Sequence, residues 1–310
     1  MRRSKVFYVG LGVLLLFNAI GRADYIYVSS ANWGYGGAAV MRFDSAGNGS
    51  TFASLDAYNP QGLALDDSWN LYVACAANNT IMRFDPSGQG SLFASTGLSG
   101  PNGLAFDGSG NLYAANWSGT ITKFDPSGQA SLFKSLSGSA PGATRTAYLA
   151  GLAFDSSGNL WVAVYDDYYS SIFGDHDYGG SVRQFNPSGQ LLLQRSVDSP
   201  TGLAFDTSGN LYISSWNSGT ITKLDPDGNS SIFASGCGYA DGLAFDCSGN
   251  LYVAGGANDT IIKIDPNGNQ SVLASGLLDP TYIAVIPEPC VWTLLGLGLG
   301  ALLGSRRLSR

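Results

Sequence analysis

The stretch GLAFDGSGNLYAANWSGTITKFDPSGQASLF, residues Gly103–Phe133, decides the fold, because near copies of it fill most of the chain. It holds four short runs in which apolar and polar residues alternate, the period that β-strands require. Tight-turn residues follow the first and the third run, at Asp107–Gly110 and Asp125–Gly128. The phrase therefore predicts four antiparallel strands, which we name a, b, c and d in chain order.

The copies recur at a nearly regular interval. Each strand a carries a glycine at the same position, except in the last, degenerate copy, where Tyr282 stands in its place. The glycines are Gly62, Gly103, Gly151, Gly202 and Gly242, so that the six positions are 41, 48, 51, 40 and 40 residues apart. A period near 40 with four strands per unit is typical of a β-propeller blade.

The number of blades follows from the pieces at the two ends of the repeat region. Residues 25–54 offer only strands b, c and d, whereas residues 281–285 offer only strand a. Pairing these pieces completes a sixth blade and removes the open edges that an unclosed array would leave. We therefore predict an all-β, six-bladed β-propeller of four-stranded blades over residues 24–286, closed by a blade split between the N- and C-terminal segments.

The phrase resembles the NHL repeat family and, more loosely, the propellers of gluconolactonases and streptogramin lyases. Its strongest matches are PNGLAFD at Pro101–Asp107 and GNLYVA at Gly249–Ala254. These residues form the core and turns of a blade, so the resemblance implies a fold and leaves the function open.

The N-terminal residues 1–23 have the layout of a secretory signal peptide. Arg2, Arg3 and Lys5 precede an apolar run that ends in Gly21-Arg22-Ala23, which predicts cleavage before Asp24. We expect an exported protein.

The C-terminal residues 287–310 resemble the PEP-CTERM sorting signal of Gram-negative bacteria. Pro287, Glu288 and Pro289 precede a short apolar run, which Arg306 and Arg307 follow. The resemblance implies processing by an exosortase, transient membrane contact, and release to the cell surface or an exopolysaccharide matrix. The alternative is a tail anchor that stays in the membrane, because hydropathy does not separate the two.

The charge of the repeat region is strongly negative. Residues 24–286 hold 22 Asp and nine Lys or Arg, a net charge of −13. Nucleic acid is thereby excluded as a partner, because phosphate binding needs a basic surface. Cations or neutral polar polymers fit better. Three cysteines, Cys75, Cys237 and Cys247, have no metal-like spacing, and we predict no disulfide framework.

One face of the propeller gathers the irregular features. Antiparallel order puts the b–c and d–a loops on the same face, and two insertions fall there, at 135–150 and 165–180. Aromatic residues lie in the same loops and suit the apolar faces of sugar rings, as loops on a rigid scaffold commonly carry binding sites. The candidates are Trp33, Trp117, Trp216, Tyr148, Tyr168, Tyr169, Phe173 and Tyr178. The alternative is that the rings cover the ends of the blade cores.

The second insertion, YDDYYSSIFGDHDYGG, offers oxygen ligands and the chain's one imidazole. A hard cation such as Ca²⁺ is the hypothesis that these residue types suggest. The candidate ligands are Asp166, Asp167, Asp175, His176 and Asp177. The spacing is not that of an EF-hand, and the alternative interpretation is a long solvated loop.

An enzymatic function has weaker support. The resemblance to lactonases implies a metal held by Glu, Asn and Asp just before the inner strands. Asn102 and Asp241 match two of these residue types, but they lie three blades apart and residues 24–286 contain no Glu. The lyase resemblance implies histidine bases, for which His176 alone is a poor substitute. We therefore predict a non-catalytic binding module for polysaccharide or an extracellular protein, with a metal-dependent lactonase or a purely structural surface protein as alternatives.

Overall fold

The computed structural model describes residues 25–31, 37–56, 58–136, 145–169, 176–255 and 258–286, with the backbone alone at 145–147, 166–169 and 176–178. The predicted signal peptide and the predicted sorting motif lie outside these residues. Within the described ranges, no helix has the length and apolar character needed to cross a membrane.

The described elements are 24 β-strands, which fall into four positions within the blades. Inner strands (a) are β4 (Pro60–Leu65), β8 (Pro101–Phe106), β12 (Arg145–Phe154), β16 (Pro200–Phe205), β20 (Ala240–Phe245) and β24 (Pro280–Ile286). Second strands (b) are β1 (Tyr25–Ser30), β5 (Leu71–Cys75), β9 (Leu112–Asn116), β13 (Leu160–Tyr169), β17 (Leu211–Ser215) and β21 (Leu251–Gly255). Third strands (c) are β2 (Ala39–Phe43), β6 (Thr80–Phe84), β10 (Thr120–Phe124), β14 (His176–Phe185), β18 (Ile221–Leu224) and β22 (Thr260–Ile264). Outer strands (d) are β3 (Gly49–Ser54), β7 (Gly90–Ala94), β11 (Ala130–Ser135), β15 (Leu191–Ser196), β19 (Ser230–Ala234) and β23 (Gln270–Ser275).

These strands form six antiparallel four-stranded sheets, each ordered from an inner to an outer strand. Every inner strand contacts the inner strand of the next blade, and β24 contacts β4, so the six sheets form a closed ring. The predicted six-bladed β-propeller is confirmed.

The split blade closes the ring as predicted. Its strand order is β24-β1-β2-β3, and β24 pairs with β1 through Tyr25↔Ile286 and Ile26↔Val285. At the other end of this pair, the Ser29 and Thr281 hydroxyls lie 3.0 Å apart within hydrogen-bonding distance. The two ends of the repeat region are therefore joined by one ladder, whose register shifts between Val28 and Ser30.

Close approach of the inner strands explains the repeated glycine. A Cβ atom on Gly103 would lie 2.1 Å from the carbonyl oxygen of Ala150, and one on Gly62 would lie 2.0 Å from that of Asn102. Such contacts fall far inside van der Waals distance. The glycine of the phrase is thus required by packing at the ring's centre, where six strands converge.

The hydrophobic cores lie between neighbouring blades. One of them combines Tyr72 and Ile81 of one blade with Leu104, Leu112 and Phe124 of the next. Tyr72 contacts two phenylalanine rings edge-to-face, with centroids 4.9 and 5.0 Å away. Since each blade supplies half of two such cores, the aromatic residues of the phrase belong mostly to packing.

The turn aspartates act as predicted. In the turn after β6, the Asp85 carboxylate accepts the backbone N–H groups of Ser87 and Gln89, both at 2.9 Å. The equivalent aspartates accept backbone N–H groups in the same way; they are Asp44, Asp66, Asp107, Asp125, Asp155, Asp206, Asp225, Asp246 and Asp265. Asn186 takes this place in one blade and accepts the same two bonds through its amide oxygen.

Acid is expected to destabilise the propeller through these turns. Hydrogen bonds from Ser87 and Gln89 hold the pKa of Asp85 below its ordinary value of 3.8, and the pKa of Asp225 is lowered by Asn229 in the same way. A lowered folded-state pKa contributes stability that is present above the ordinary pKa and is lost as the pH falls through the lowered one. The midpoint of urea unfolding should therefore be steady above about pH 5 and fall steeply below about pH 4.

A variant with asparagine at the five exposed turn positions tests this cause, because Asn186 proves that an amide keeps the turn. The positions are Asp44, Asp85, Asp125, Asp225 and Asp265. Its unfolding midpoint should change less between pH 7 and pH 3 than that of the unaltered chain. An equal fall in both proteins would assign the acid sensitivity elsewhere.

Candidate functional site

A cavity of about 510 Å³ opens at the centre of the ring, on the face that carries the b–c and d–a loops. Its aromatic lining consists of Trp117, Tyr148, Tyr165, Trp216 and Tyr282. Its polar lining consists of Gln61, Asn102, Thr201, Asp241, Asp279 and Thr281, with Ala150 between them. Among the lining residues that the structure describes, the ionisable groups with an acidic side chain are the two carboxylates, and none is Lys, Arg or His.

The inner strands place most of the polar groups. Five of the six residues that directly precede the repeated glycine, or Tyr282, are polar, and all six line the cavity: Gln61, Asn102, Ala150, Thr201, Asp241 and Thr281. The strands around them repeat almost word for word, whereas this position is occupied by five different residue types. The inner strands therefore place a ring of six side chains, of five different residue types, around the opening of the central cavity.

Equivalent backbone hydrogen bonds in two blades fix the positions of the two tryptophans. The residue before the strand-a proline has a positive φ in four blades: 49° at Asn59, 62° at Gly100, 41° at Ser199 and 48° at Asp279. The carbonyl groups of Gly100 and Ser199 accept the backbone N–H groups of Trp117 and Trp216, at 2.9 and 3.0 Å. Both tryptophans are thereby fixed directly after a second strand, at the cavity mouth.

Trp216 presents the most accessible ring among the described aromatic residues that line the cavity. It stacks on Tyr239 with centroids 4.5 Å apart and an interplanar angle of 19°. Trp216 nevertheless stays 38% exposed and Tyr239 44% exposed. A large aromatic surface that remains exposed beside a cavity is typical of ligand-binding sites.

Asn102 carries an unsatisfied acceptor. It is only 9% exposed, and its side-chain Nδ2 donates to the Leu149 carbonyl group at 3.3 Å. Its Oδ1 is buried and has no hydrogen-bond partner among the described residues. A buried acceptor without a partner costs about 1–3 kcal/mol, so a donor supplied by a ligand would recover that free energy.

The two carboxylates lie in neighbouring blades. Burial raises the pKa of Asp241 well above its ordinary value, and the charge of Asp279 raises it further. Burial also raises the pKa of Tyr282, with the charge of Asp241 adding to the effect, so its phenol stays protonated. Asp241 is only partly exposed to solvent, through the cavity. Burial thus favours the neutral form of Asp241, and none of the described lining residues is basic.

The second insertion is mainly β-structure, which corrects its interpretation as a long loop. Residues 165–169 and 176–180 extend β13 and β14, which pair from Leu160↔Phe185 to Tyr169↔His176. In the first insertion, residues 145–150 extend β12, and Tyr148 pairs with Tyr165. We call residues 145–149, 165–169 and 176–180 the arm. The pattern of the insertions concealed these strands because DDYY has no apolar alternation.

The arm borders the cavity. Tyr148 and Tyr165 lie at its base, with ring centroids 6.4 Å apart, and both line the cavity wall. Strands β13 and β14 continue four residues beyond the base, about 13 Å at the usual rise per residue. The backbone of this blade therefore extends the cavity wall past the propeller face.

The structure brings together five predicted site residues: Trp117, Trp216, Tyr148, Asn102 and Asp241. Trp33, Phe173 and Asp175 lie outside the described residues. For Tyr168, Tyr169, Tyr178, Asp166, Asp167, His176 and Asp177 the structure gives the backbone, as part of β13 and β14. Metal binding by the aspartates and His176 stays a prediction.

Six residues that line the cavity were not predicted as site residues from the sequence: Gln61, Tyr165, Thr201, Asp279, Thr281 and Tyr282. Three of them, Gln61, Thr201 and Thr281, could have been found because the residue type varies at the position just before the repeated glycine. Tyr282 could have been found because a bulky side chain replaces the glycine only in this copy.

A lactonase-type metal does not fit the described residues. Among them, no three His, Cys, Asp or Glu side chains come together where they could hold a metal ion. Asn102 and Asp241 line the same cavity, but Gln61 and the two threonines are neutral neighbours. The hydroxyl of Thr201 donates to the Ala240 carbonyl at 2.8 Å and that of Thr281 pairs with Ser29, so both serve the scaffold.

Comparison with solved structures supports the fold. A chain in a nidogen/laminin complex gives a TM-score of 0.66 at 16% identity, covering 84% of this chain and 98% of its own. A Xanthomonas campestris gluconolactonase gives 0.60 at 20% identity, covering 86% and 94%. Virginiamycin B lyase from Staphylococcus aureus gives 0.57 at 13% identity, covering 79% and 80%.

These likenesses define the class of the protein. It is a six-bladed β-propeller related in fold to gluconolactonase and streptogramin-lyase propellers. No protein-family model and no curated protein matches the sequence. The neighbours include enzymes and a member of a protein complex, so the function has to be argued from the site.

Proposed function

We propose that the protein is a binding module that holds a saccharide unit of a polysaccharide in its central cavity. The observation that carries the proposal is that one half-buried and one exposed tryptophan ring line the same cavity as a buried acceptor that has no partner among the described residues. Trp117 and Trp216 have flat apolar surfaces on which a sugar ring would stack, and Asn102 Oδ1 would accept a hydrogen bond from a sugar hydroxyl group. Together they meet both needs of a sugar, which has apolar faces and a polar edge.

The size and setting of the cavity agree with this proposal. A volume of about 510 Å³ lies within the range of small-ligand pockets. The arm adds a wall along which further units of a polymer would lie. The negative net charge of residues 24–286 excludes strongly anionic polymers and favours neutral or cationic ones.

We also propose that this binding takes place outside the cell, on the surface or in an exopolysaccharide matrix of a Gram-negative bacterium. The support is the sequence of residues 1–23 and 287–310, which resembles a signal peptide and a PEP-CTERM segment processed by an exosortase. An extracellular protein is the alternative partner. It would require a larger contact surface than the cavity.

Replacing either tryptophan is expected to weaken saccharide binding. Trp117→Ala and Trp216→Ala should each raise the dissociation constant about tenfold, because each variant loses the apolar area that the indole ring buries against a sugar face. Isothermal titration with the tetrasaccharides of glucose and of N-acetylglucosamine measures the effect. Circular dichroism confirms that the variants fold.

Leu132→Ala is the matched control, since Leu132 is 68% exposed on an outer strand far from the channel. Its affinity should equal that of the unaltered chain. Unchanged affinity in both tryptophan variants, or no saccharide binding at all, would contradict the proposal and favour a purely structural role.

A metal-dependent lactonase is the second candidate, because Asn102 and Asp241 do line one cavity. It predicts hydrolysis of δ-gluconolactone above the uncatalysed rate, removed by EDTA and abolished by Asp241→Asn. The saccharide-binding proposal predicts a rate equal to the blank. The assay therefore separates the two candidates.

A further inference from the structure

We propose that Asn102 and Gln61 together bind two hydroxyl groups on neighbouring carbons of the sugar, so that the cavity selects saccharides with an unsubstituted vicinal diol. This inference rests on the proposed function and names the class of sugar that the site prefers. It follows from the way in which the scaffold holds the two side-chain amides.

The two amides belong to adjoining inner strands. Gln61 lies on β4 and Asn102 on β8, at the same position of the repeat, and both line the cavity. The strands approach so closely that a Cβ atom on Gly62 would lie 2.0 Å from the backbone carbonyl oxygen of Asn102. The two side chains therefore start from neighbouring points on the cavity wall.

The scaffold fixes the orientation of the Asn102 amide. Its Nδ2 donates to the Leu149 carbonyl group at 3.3 Å, and a carbonyl group can only accept. The opposite orientation would place two oxygens against each other. Oδ1 is the remaining polar atom of this side chain, and it is buried without a hydrogen-bond partner among the described residues. Asn102 is thereby held as an acceptor.

Gln61 is held in the same sense. It is only 4% exposed, and its Nε2 donates to Asn59 Oδ1 at 3.0 Å. Asn59 lies directly before strand β4, at a φ of 49°. Because the bond to Asn59 uses the amide nitrogen, Oε1 is the atom that Gln61 has left for a ligand. The two neighbouring amides thus contribute two acceptors.

Two adjacent acceptors define the kind of group that fits them. Each acceptor needs a donor, and a sugar hydroxyl group donates one hydrogen bond. Two hydroxyl groups on neighbouring carbons would reach acceptors on adjoining strands at once. An ether oxygen in either place would face an amide oxygen and repel it. The cost of the buried, unpartnered acceptor is therefore offset in full only when both hydroxyl groups are unsubstituted.

The ring of six side chains supplies no second adjacent pair. Thr201 donates to the Ala240 carbonyl group at 2.8 Å, and the Thr281 hydroxyl lies 3.0 Å from that of Ser29. Asp241 lies between these two threonines in the order of the blades, and the sixth member of the ring is an alanine. The pair formed by the two amides is therefore the place where two donors are needed together.

An apolar surface lies in the same blade as one of the amides. Trp117 directly follows strand β9, the partner of the strand that carries Asn102, and both residues line the cavity. A sugar has apolar faces and a hydroxyl-bearing edge. One blade therefore contributes both a ring for the face and an acceptor for the edge.

The test uses the methyl glycoside of the β-1,4-linked glucose tetramer, whose internal units carry free hydroxyl groups at carbons 2 and 3. Methylation of every O2, or of every O3, should raise the dissociation constant about fivefold, because each removes one neutral hydrogen bond. Methylation of every O6 is the matched control. It adds the same group and keeps the diol, so the constant should stay unchanged. Isothermal titration measures all four ligands.

Variants of the protein assign each hydroxyl group to its amide. Asn102→Leu and Gln61→Leu should each weaken binding of the unmethylated tetramer about fivefold. Each should also cancel the effect of one methylation, at O2 in one variant and at O3 in the other. Gln61→Glu keeps an acceptor and should retain both effects. A purely structural role would weaken binding of all four ligands alike in the leucine variants and cancel neither effect.

The outcomes separate this inference from the proposed function. Equal affinity for all four tetramers, or methylation effects that survive in both leucine variants, would overturn the diol inference and leave saccharide binding intact. Tighter binding of the N-acetylglucosamine tetramer, whose internal units have no neighbouring free hydroxyl groups, would overturn it as well. Binding of no tetramer would overturn both proposals.

Discussion

A chain that ends at Asp279, and therefore lacks strand β24, is expected to lose cooperative unfolding at 25 °C. Strand β24 supplies the inner strand of the split blade and buries Ile283, Val285 and Ile286. Burying each such side chain contributes about 1.5–3 kcal/mol, so together they approach the whole stability of a typical domain. The loss also exposes the edge of β1. Urea unfolding followed by far-ultraviolet circular dichroism measures the effect.

The matched control is a chain that ends at Ile286, which keeps every strand. It should unfold in one transition with an unchanged midpoint. A cooperative transition at the same midpoint in the shorter chain would contradict the closure that the ladder between Tyr25 and Ile286 implies.

A circular permutant separates loss of β24 from loss of chain length. Tyr25 and Ile286 are paired residues, so an Asn-Gly turn can join them as a two-residue hairpin. New ends between Gly108 and Ser109 fall in an exposed turn. This permutant should fold with one transition, because the closing pair is then covalent. Failure to fold would show that the split position itself matters.

Replacing Gly103 with alanine is expected to lower the free energy of unfolding by about 3 kcal/mol. The new Cβ would lie 2.1 Å from the Ala150 carbonyl oxygen and 3.1 Å from the Gly151 Cα, both backbone atoms that no rotamer change can move. Two inner strands would have to separate, and the change would spread around the closed ring. Guanidinium unfolding at pH 7 measures the loss.

Gly108→Ala is the control for this substitution. Gly108 lies in the next turn, and a Cβ there meets nothing within 4 Å. Its stability should stay within about 0.5 kcal/mol of the unaltered chain. Similar losses at both positions would contradict strand packing as the reason for the repeated glycine.

Most of the fold follows from the sequence, because local and long-range signals agree within every copy. The run Leu112–Asn116 predicts a strand, the Asp107 turn predicts its hairpin, and the period of 40 predicts the ring. Even closure is readable, since residues 25–54 lack the one strand that residues 281–285 supply.

The strands of the arm were not predicted from the sequence, because they are stabilised by pairing with strands that are already formed and not by their own residue pattern. Tyr165–Tyr169 has no apolar alternation, and it becomes a strand by continuing the ladder that β13 and β14 already form. Strand preference depends on such partners more than on the residues themselves. The insertion lengths in the sequence gave the position of the arm without its structure.

The site was predictable in part. Trp117, Trp216, Asn102 and Asp241 stood out as departures from an otherwise repeated phrase. Asp279 did not, because its position relative to Asp241 depends on the contact between β20 and β24, which are the inner strands of neighbouring blades. The sequence of neither copy alone shows that Asp241 and Asp279 line the same cavity, because the two residues come together only when the blades pack side by side.

Strand β24 runs from the face of the propeller that carries the cavity to the opposite face. It begins beside the cavity, where Thr281 and Tyr282 line the wall, and ends at Ile286 on the far face, about 16 Å away. Tyr25 pairs with Ile286, so both flanking segments leave from one point on that far face. A copy held at a surface through either segment would point its cavity away from that surface, towards the polymers around it.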